Sequence, residues 1–208
     1  MLRKLGIVKG KNTKAEQVFD GLVSSFMDIR YQKPSEYIQQ YWDAYQTVPN
    51  ASNSLNGKIF EYILATLCVR EGLLPLYLEA KVAFVPNVEY DLMFYTQERG
   101  PICLSAKTTL RERYKQADLE SIALKYVHRK ALSYLVTLSV DEANSVHQKI
   151  ETGDVIGLDA VIVATAPEFD DLIDELRKYK FEQPPTVQVI QSTQIVTHEK
   201  VKLLKPDN

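Results

Sequence analysis

Apolar residues recur with two different spacings along the chain, and these spacings predict helices and strands. In the first part of the chain they return at steps of one, three and four residues, which is typical of a helix with one buried face. In the middle, short apolar runs lie between turn-forming residues, as strands do. The predicted helices cover residues 15–29, 36–46, 56–70, 110–130, 141–150 and 168–179. The predicted strands cover residues 76–85, 88–96, 102–107, 134–140 and 160–165. A tail over 187–204 alternates like a strand, and an extended arm is the alternative.

The order of these elements predicts a mixed α/β fold. A helix precedes three consecutive strands, and then helices alternate with single strands, so helices should cover both faces of one sheet. No repeat, low-complexity tract or flexible linker divides the chain. We therefore expect a single domain over 1–208, with a helical N-terminal region (1–50), a core (56–166) and a C-terminal helix followed by a strand or arm (167–208).

Composition and charge exclude several classes of protein. The chain has 208 residues, of which 45% are hydrophobic and 25% charged, so it is not intrinsically disordered. Cys68 and Cys103 lie in apolar runs without zinc or disulfide spacing, and no stretch approaches the roughly 18 apolar residues of a membrane span. We expect a cytoplasmic protein that does not contact membranes. A net charge of −2 argues against a broadly basic coat protein for nucleic acid, yet 107–130 carries seven Lys and Arg against three acids.

The segment YDLMFYTQERGPICLSAK predicts a hairpin with a polar end. If its turn centres on Arg99, Asp91 pairs with Lys107 and Met93 pairs with Ser105. Because side chains alternate along a strand, these four share one face, while the other face is apolar and belongs to the core. The simplest interpretation of Asp91 and Lys107 is a solvated ion pair between strands.

Two further carboxylates favour a different interpretation. Glu61 lies on the helix before the three strands, and Glu120 lies on the helix after them, at the thirteenth position beyond Lys107. Carboxylate oxygens are the ligands that Mg²⁺ prefers, and an ion held there keeps waters for an incoming phosphate. Asp91, Glu61 and Glu120 are therefore candidate metal ligands, with Lys107 beside an attacking water.

Asp91 together with Ser105-Ala106-Lys107 resembles the PD-(D/E)xK nuclease motif, and the predicted order of elements resembles the αβββαβ core of that superfamily. Ser105 departs from the motif, because an acid usually stands there. A subgroup of type II restriction endonucleases that cut CCGG or CC(N)GG sites shows the same departure. In that subgroup an acid at the thirteenth or fourteenth position after the lysine takes its place, which matches Glu120.

The stretch KTTLRERYKQ is similar to the run in the EcoRII-like branch whose Arg-Glu-Arg cluster, at the start of a helix, reads bases. The cluster corresponds to Arg111, Glu112 and Arg113. The chemistry agrees, because Arg matches guanine O6 and N7 in the major groove and Glu accepts from cytosine N4.

The resemblance spans roughly residues 57–137 and implies a restriction-endonuclease-like fold and a type II site-specific deoxyribonuclease. It further implies Mg²⁺ as cofactor, double-stranded DNA as substrate, a homodimer on a palindromic site, and a cognate DNA methyltransferase in the same system. The first helices or the tail are candidates for the dimer interface or for DNA contact.

Several alternatives stay open at this point. A DNA repair or junction-resolving nuclease of the same fold is one, although such enzymes need no base-reading cluster. A DNA-binding module that has lost catalysis is another, although Asp91, Lys107 and Glu120 are all present. The role of an aromatic cluster in the second helix is also open. Such a cluster is typical of a core or a subunit interface, and Trp42 is a candidate for stacking on a flipped base. This cluster comprises Tyr37, Tyr41, Trp42 and Tyr45.

Overall fold

A computed structural model describes residues 1–10, 13–184 and 190–204, and within them it shows one seven-stranded sheet and eight helices. The strands are β1 (Leu76–Val82), β2 (Tyr90–Thr96), β3 (Gly100–Lys107), β4 (Leu132–Thr137), β5 (Ala160–Val163), β6 (Ile190–Gln191) and β7 (Gln194–Val196). The helices are α1 (Leu2–Leu5), α2 (Lys14–Leu22), α3 (Pro34–Gln46), α4 (Asn53–Arg70), α5 (Arg113–Val127), α6 (Val140–Glu151), α7 (Pro167–Leu176) and α8 (His198–Lys202). None of the helices in the described part of the chain is long and apolar enough to cross a membrane.

The sheet is mixed, as the order of elements predicts. Its strands lie in the order β5-β4-β3-β2-β1-β6, and β7 also pairs with β1. The strands β1, β2 and β3 are antiparallel neighbours, whereas β3, β4 and β5 run parallel. Parallel neighbours need a crossover, and α5 and α6 provide the two crossovers. The αβββαβ core thus consists of α4, β1–β3, α5 and β4.

The central hairpin divides its side chains between the two faces as predicted. Leu92, Phe94 and Leu104 join the main core, which α3, α4 and α7 cover. Met93 and Cys103 lie on the opposite face and pack in a second cluster with Leu124 of α5. The sheet is therefore covered by helices on both sides, and its polar end lies where β2 begins and β3 finishes.

The predicted register of this hairpin is wrong by two residues. Met93 pairs with Cys103, and not with Ser105, and Tyr95 pairs with Pro101. The prediction placed Gly100 and Pro101 in the turn, but Gly100 adopts φ +79° and already pairs with Thr96, so only three residues form the loop. A shift of two keeps every side chain on its predicted face, because the period of a strand is two.

The first amphipathic helix is shorter than its spacing predicts. It ends at Leu22 rather than residue 29, and Val23 is extended. The segment that follows is held by the Arg70 side chain, which donates to the backbone carbonyls of Phe26, Met27 and Ile29 at 2.7–2.9 Å.

The tail extends the sheet in part. Of the predicted 187–204 segment, 187–189 lie outside the described residues, β6 and β7 pair antiparallel with β1, and the rest ends in α8. The Gln194 amide donates to the backbone carbonyl of Ile7 at 2.9 Å, so the first and last described segments meet at this edge.

Candidate active site

Asp91 and Lys107 form an ion pair at the polar end of the hairpin. The Nζ of Lys107 lies 2.8 Å from Oδ2 of Asp91, and the same oxygen accepts the backbone N–H of Ala106 at 2.8 Å. Their side chains are 18% and 20% exposed, so both are reachable and partly shielded from water. The two residues come together because β2 begins beside the end of β3, even though they are not a direct cross-strand pair.

Glu61 faces this pair from α4. Burial raises the pKa of Glu61 above its usual value, and the negative charge of Asp91 raises it further, while Lys58 and Lys107 act in the opposite direction. These influences place Asp91 and Lys107 within electrostatic reach of Glu61. The position of Glu61 is well defined, because its carboxylate also accepts from Lys58 Nζ at 2.7 Å.

Glu120 approaches from the other side, on α5. The pKa of its carboxyl lies above the ordinary value, mainly because of burial and also because of the negative charge of Asp91. A hydrogen bond from Gln116 at 2.7 Å and the positive charge of Lys107 act in the opposite direction. The phenol of Tyr90 donates to the Glu120 backbone carbonyl at 2.9 Å, which ties this turn of α5 to the start of β2. The carboxylate at residue 120 is thus held near the Asp91–Lys107 pair.

A fourth carboxylate, absent from the sequence interpretation, completes the cluster. Glu79 of β1 lies opposite Asp91, because the flanking positions Leu78 and Ala80 pair with Leu92 and Tyr90. Its Oε1 accepts from Lys58 Nζ at 2.9 Å. A signal for it existed in the sequence, since a glutamate follows three apolar residues and precedes Ala80 in the strand segment LYLEA.

The cluster carries more negative than positive charge. Four carboxylates, from Glu61, Glu79, Asp91 and Glu120, face two ammonium groups, which leaves an excess of two negative charges. This excess and the hard oxygen donors fit a divalent cation such as Mg²⁺. Within the described ranges, however, no three His, Cys, Asp or Glu side chains are close enough to hold one ion together as they stand.

The Arg-Glu-Arg cluster lies in an exposed turn between β3 and α5. It was predicted to stand inside the start of the helix, but α5 begins only at Arg113, with Glu112 as its N-cap. Arg111 has φ +34°, a conformation that side chains other than glycine rarely adopt. All three side chains are exposed.

Glu142 of α6 holds this turn in place through two hydrogen bonds. Its carboxylate accepts the backbone N–H of Leu110 at 2.7 Å and that of Arg111 at 3.2 Å. These hydrogen bonds lower the pKa of Glu142, so the carboxylate stays ionised. Glu142 was missed because it lies on a later helix, far along the chain from both amides, and has no motif of its own.

The aromatic cluster of α3 belongs to the core. Tyr37 and Tyr41 are fully buried, and the Tyr37 hydroxyl donates to Thr66 at 2.9 Å. Trp42 is half-buried against Phe60, with ring centroids 6.0 Å apart. Of the predicted alternatives, the structure therefore supports packing.

Comparison with known proteins identifies the fold. The chain is similar to the restriction endonuclease PspGI, solved as a complex with its substrate DNA, with a TM-score of 0.56. The two are 12% identical, and the match covers 79% of this chain and 92% of that one. No protein family and no curated protein matches the sequence. The chain thus has a restriction-endonuclease-like fold, as its sequence predicts.

Proposed function

We propose that this protein is a Mg²⁺-dependent type II restriction endonuclease that cuts both strands of DNA at a palindromic site containing CCGG or CC(N)GG. The observation that carries the proposal is the Asp91–Lys107 pair at the ends of adjoining strands, 2.8 Å apart, with the Glu61 and Glu120 carboxylates on either side. The likeness to an endonuclease solved on DNA supports it.

Four side chains of the cluster would each have a role in hydrolysing a phosphodiester. Asp91 and Glu120 would hold the metal ion, and Glu61 would act as an outer or second-site ligand. When bound, the ion would offset charge on the phosphate and lower the pKa of a coordinated water. Lys107 stands beside that position and can orient the attacking water or donate to a phosphate oxygen as negative charge develops. Asp91 fixes the Lys107 ammonium for this task.

The exposed turn before α5 supports the specificity that we propose. Arg111 and Arg113 present forked guanidinium groups that match guanine, and Glu112 presents an acceptor for cytosine N4. The two hydrogen bonds that Glu142 accepts from the Leu110 and Arg111 amides hold the turn close to the end of β3, which carries Lys107. Base reading and cleavage would then be coupled through a short and rigid connection.

We propose that two copies of the chain, related by a two-fold axis, act on the palindrome, because their symmetry matches that of the site. The first helices use their apolar side chains in the core, whereas α5 exposes Leu119 (66%) and Tyr126 (87%) on one side, two turns apart. Replacing both residues with Glu should convert a dimer into a monomer in light scattering.

In a restriction system of this kind, a cognate methyltransferase would protect the host DNA at the same site.

Cleavage of plasmid DNA tests the proposal. Purified protein with Mg²⁺ should give defined fragments whose sequenced ends share one G·C-rich palindrome, and EDTA should stop the reaction. Lys107→Ala should lower the rate by at least about 100-fold, which is the effect of removing one group that stabilises a transition state. The matched control is Lys178→Ala, whose lysine pairs with Glu175 near the end of α7, away from the site.

Other outcomes would assign a different function. Single nicks or cleavage only at branched DNA would favour a repair or junction-resolving nuclease. Specific binding without cleavage would favour an inactive DNA-binding module. Unchanged cleavage by Lys107→Ala would show that the site is elsewhere.

A further inference from the structure

A lysine bridges two of the carboxylates beside Asp91. Lys58 Nζ lies 2.7 Å from Glu61 Oε2 and 2.9 Å from Glu79 Oε1. The three side chains are 35%, 21% and 38% exposed, so none is freely solvated. Together with Asp91 they line one narrow cleft between α4 and β1.

The backbone of Glu79 indicates that this bridge is built for a purpose beyond general stability. Glu79 has φ +46° in the middle of β1, although neighbouring positions keep regular pairing with β2. Non-glycine residues seldom adopt this conformation, and it concentrates at functional sites. Here it belongs to the residue that lies opposite Asp91 and bonds to Lys58.

Lys58 also balances charge where carboxylates crowd together. Without its ammonium group, Glu61, Glu79 and Asp91 would face only Lys107. Its Nζ lies within 3 Å of a carboxylate oxygen on each of the two glutamates, Glu61 and Glu79. The space between Glu61 and Glu79 is therefore one that a cation occupies, and in this protein the cation is a side chain.

We infer that the Lys58 ammonium takes the place of a second metal ion between Glu61 and Glu79, so that the centre holds one divalent ion, on the Asp91 and Glu120 side. Lys58 is then a positioning residue, and it keeps Glu61 as an outer partner of the ion rather than a ligand of a second one. This inference rests on the proposed metal-dependent function, which it makes more specific.

Counting bound ions tests the inference without measuring cleavage. Mn²⁺ binding to the full chain, followed by electron paramagnetic resonance of the free ion, should give one ion per chain for the natural protein. Lys58→Met keeps an apolar stem and removes the charge, so the number should rise from one to two. Lys58→Arg, which keeps the charge, should return to one, and so should Lys58→Met combined with Glu61→Gln. The control Lys178→Met should leave the number at one.

The possible results separate this inference from the proposed function. Two ions on the natural protein, or one ion on a folded Lys58→Met variant, would overturn the inference and leave a metal-dependent nuclease intact. No ion on the natural protein would contradict the proposed function as well. If circular dichroism shows that Lys58→Met does not fold, Lys58→Gln, which keeps a donor for the glutamates, should give the same rise to two.

Discussion

Glu142→Gln should loosen the turn that carries Arg111 while leaving the rest of the fold in place. The carboxylate of Glu142 accepts two backbone N–H groups, from Leu110 at 2.7 Å and Arg111 at 3.2 Å. A glutamine side chain has the same shape, but it is neutral and offers a single oxygen. It therefore weakens one hydrogen bond and removes the other.

The size of the effect follows from these contacts. A hydrogen bond to a charged group contributes about 1.5–3 kcal/mol, roughly twice a neutral one. Because Glu142 is partly exposed, water replaces some of the lost interaction, and we expect the lower end, about 1.5 kcal/mol. The left-handed backbone of Arg111 stores strain of comparable size, which the weakened contact no longer offsets. Local opening should become easier by roughly tenfold.

Hydrogen–deuterium exchange of the Leu110 and Arg111 amides measures this opening directly. In Glu142→Gln both amides should exchange roughly tenfold faster, while β3 and β4 keep their protection. Glu151→Gln is the matched control, since it changes another glutamate of α6, whose carboxylate lies 3.2 Å from Nε2 of His147 and away from the turn. Equal exchange in the natural protein and in Glu142→Gln would refute the argument that Glu142 holds the turn.

Three further predictions concern stability. Gly157→Ala would place a Cβ 2.4 Å from the Asp118 carbonyl oxygen, so the free energy of unfolding in urea should fall by about 3 kcal/mol. Gly57→Ala has open space around it inside α4, so the same free energy should rise by about 0.5–1 kcal/mol. Equal effects of the two substitutions would contradict the packing argument. In metal-free protein the raised pKa of Glu120 should make the free energy of unfolding fall as pH rises from about 4.5 through that pKa, because the folded state holds the proton longer. Glu120→Gln should make this slope shallower, with the raised pKa of Glu61 supplying the remainder, and an unchanged slope would locate the titration elsewhere. Arg70→Ala leaves three backbone carbonyls without their donor, so the free energy of unfolding in the same urea assay should fall by about 2–4 kcal/mol. A fall of less than about 1 kcal/mol would mean that water satisfies these carbonyls.

Much of the fold follows from the sequence because the pattern of a strand is local. Alternation assigns Leu92, Leu104 and Met93 to the same faces in the predicted register and in the observed one, because the two registers differ by two residues. The register itself depends on how the turn closes, and a left-handed Gly100 closes it two residues earlier than the Gly-Pro pair suggested. The motif residues Asp91 and Lys107 could be found because a single short hairpin brings them together.

Other parts of the site could not be predicted, because distant segments form them. Glu142 reaches the turn before α5 only through the packing of α6 beside it, and no local pattern records that contact. Lys58 and Glu79 become partners because α4 packs against the sheet, although either one alone is an ordinary charged residue. The segment after α2 is likewise held by Arg70, which lies much later in the chain, at the end of α4.

The pairing of β6 and β7 with β1 has a consequence for how the chain is made. More than a hundred residues separate β1 from these partners, and the Gln194 amide bonds back to Ile7. During synthesis, the other edge of β1 therefore stays open beside β2 until residues 190–196 leave the ribosome. An open edge is a template for pairing between chains. Slow translation of residues 83–189 should thus favour association of nascent chains, and early supply of a peptide with the sequence of residues 190–204 should suppress it.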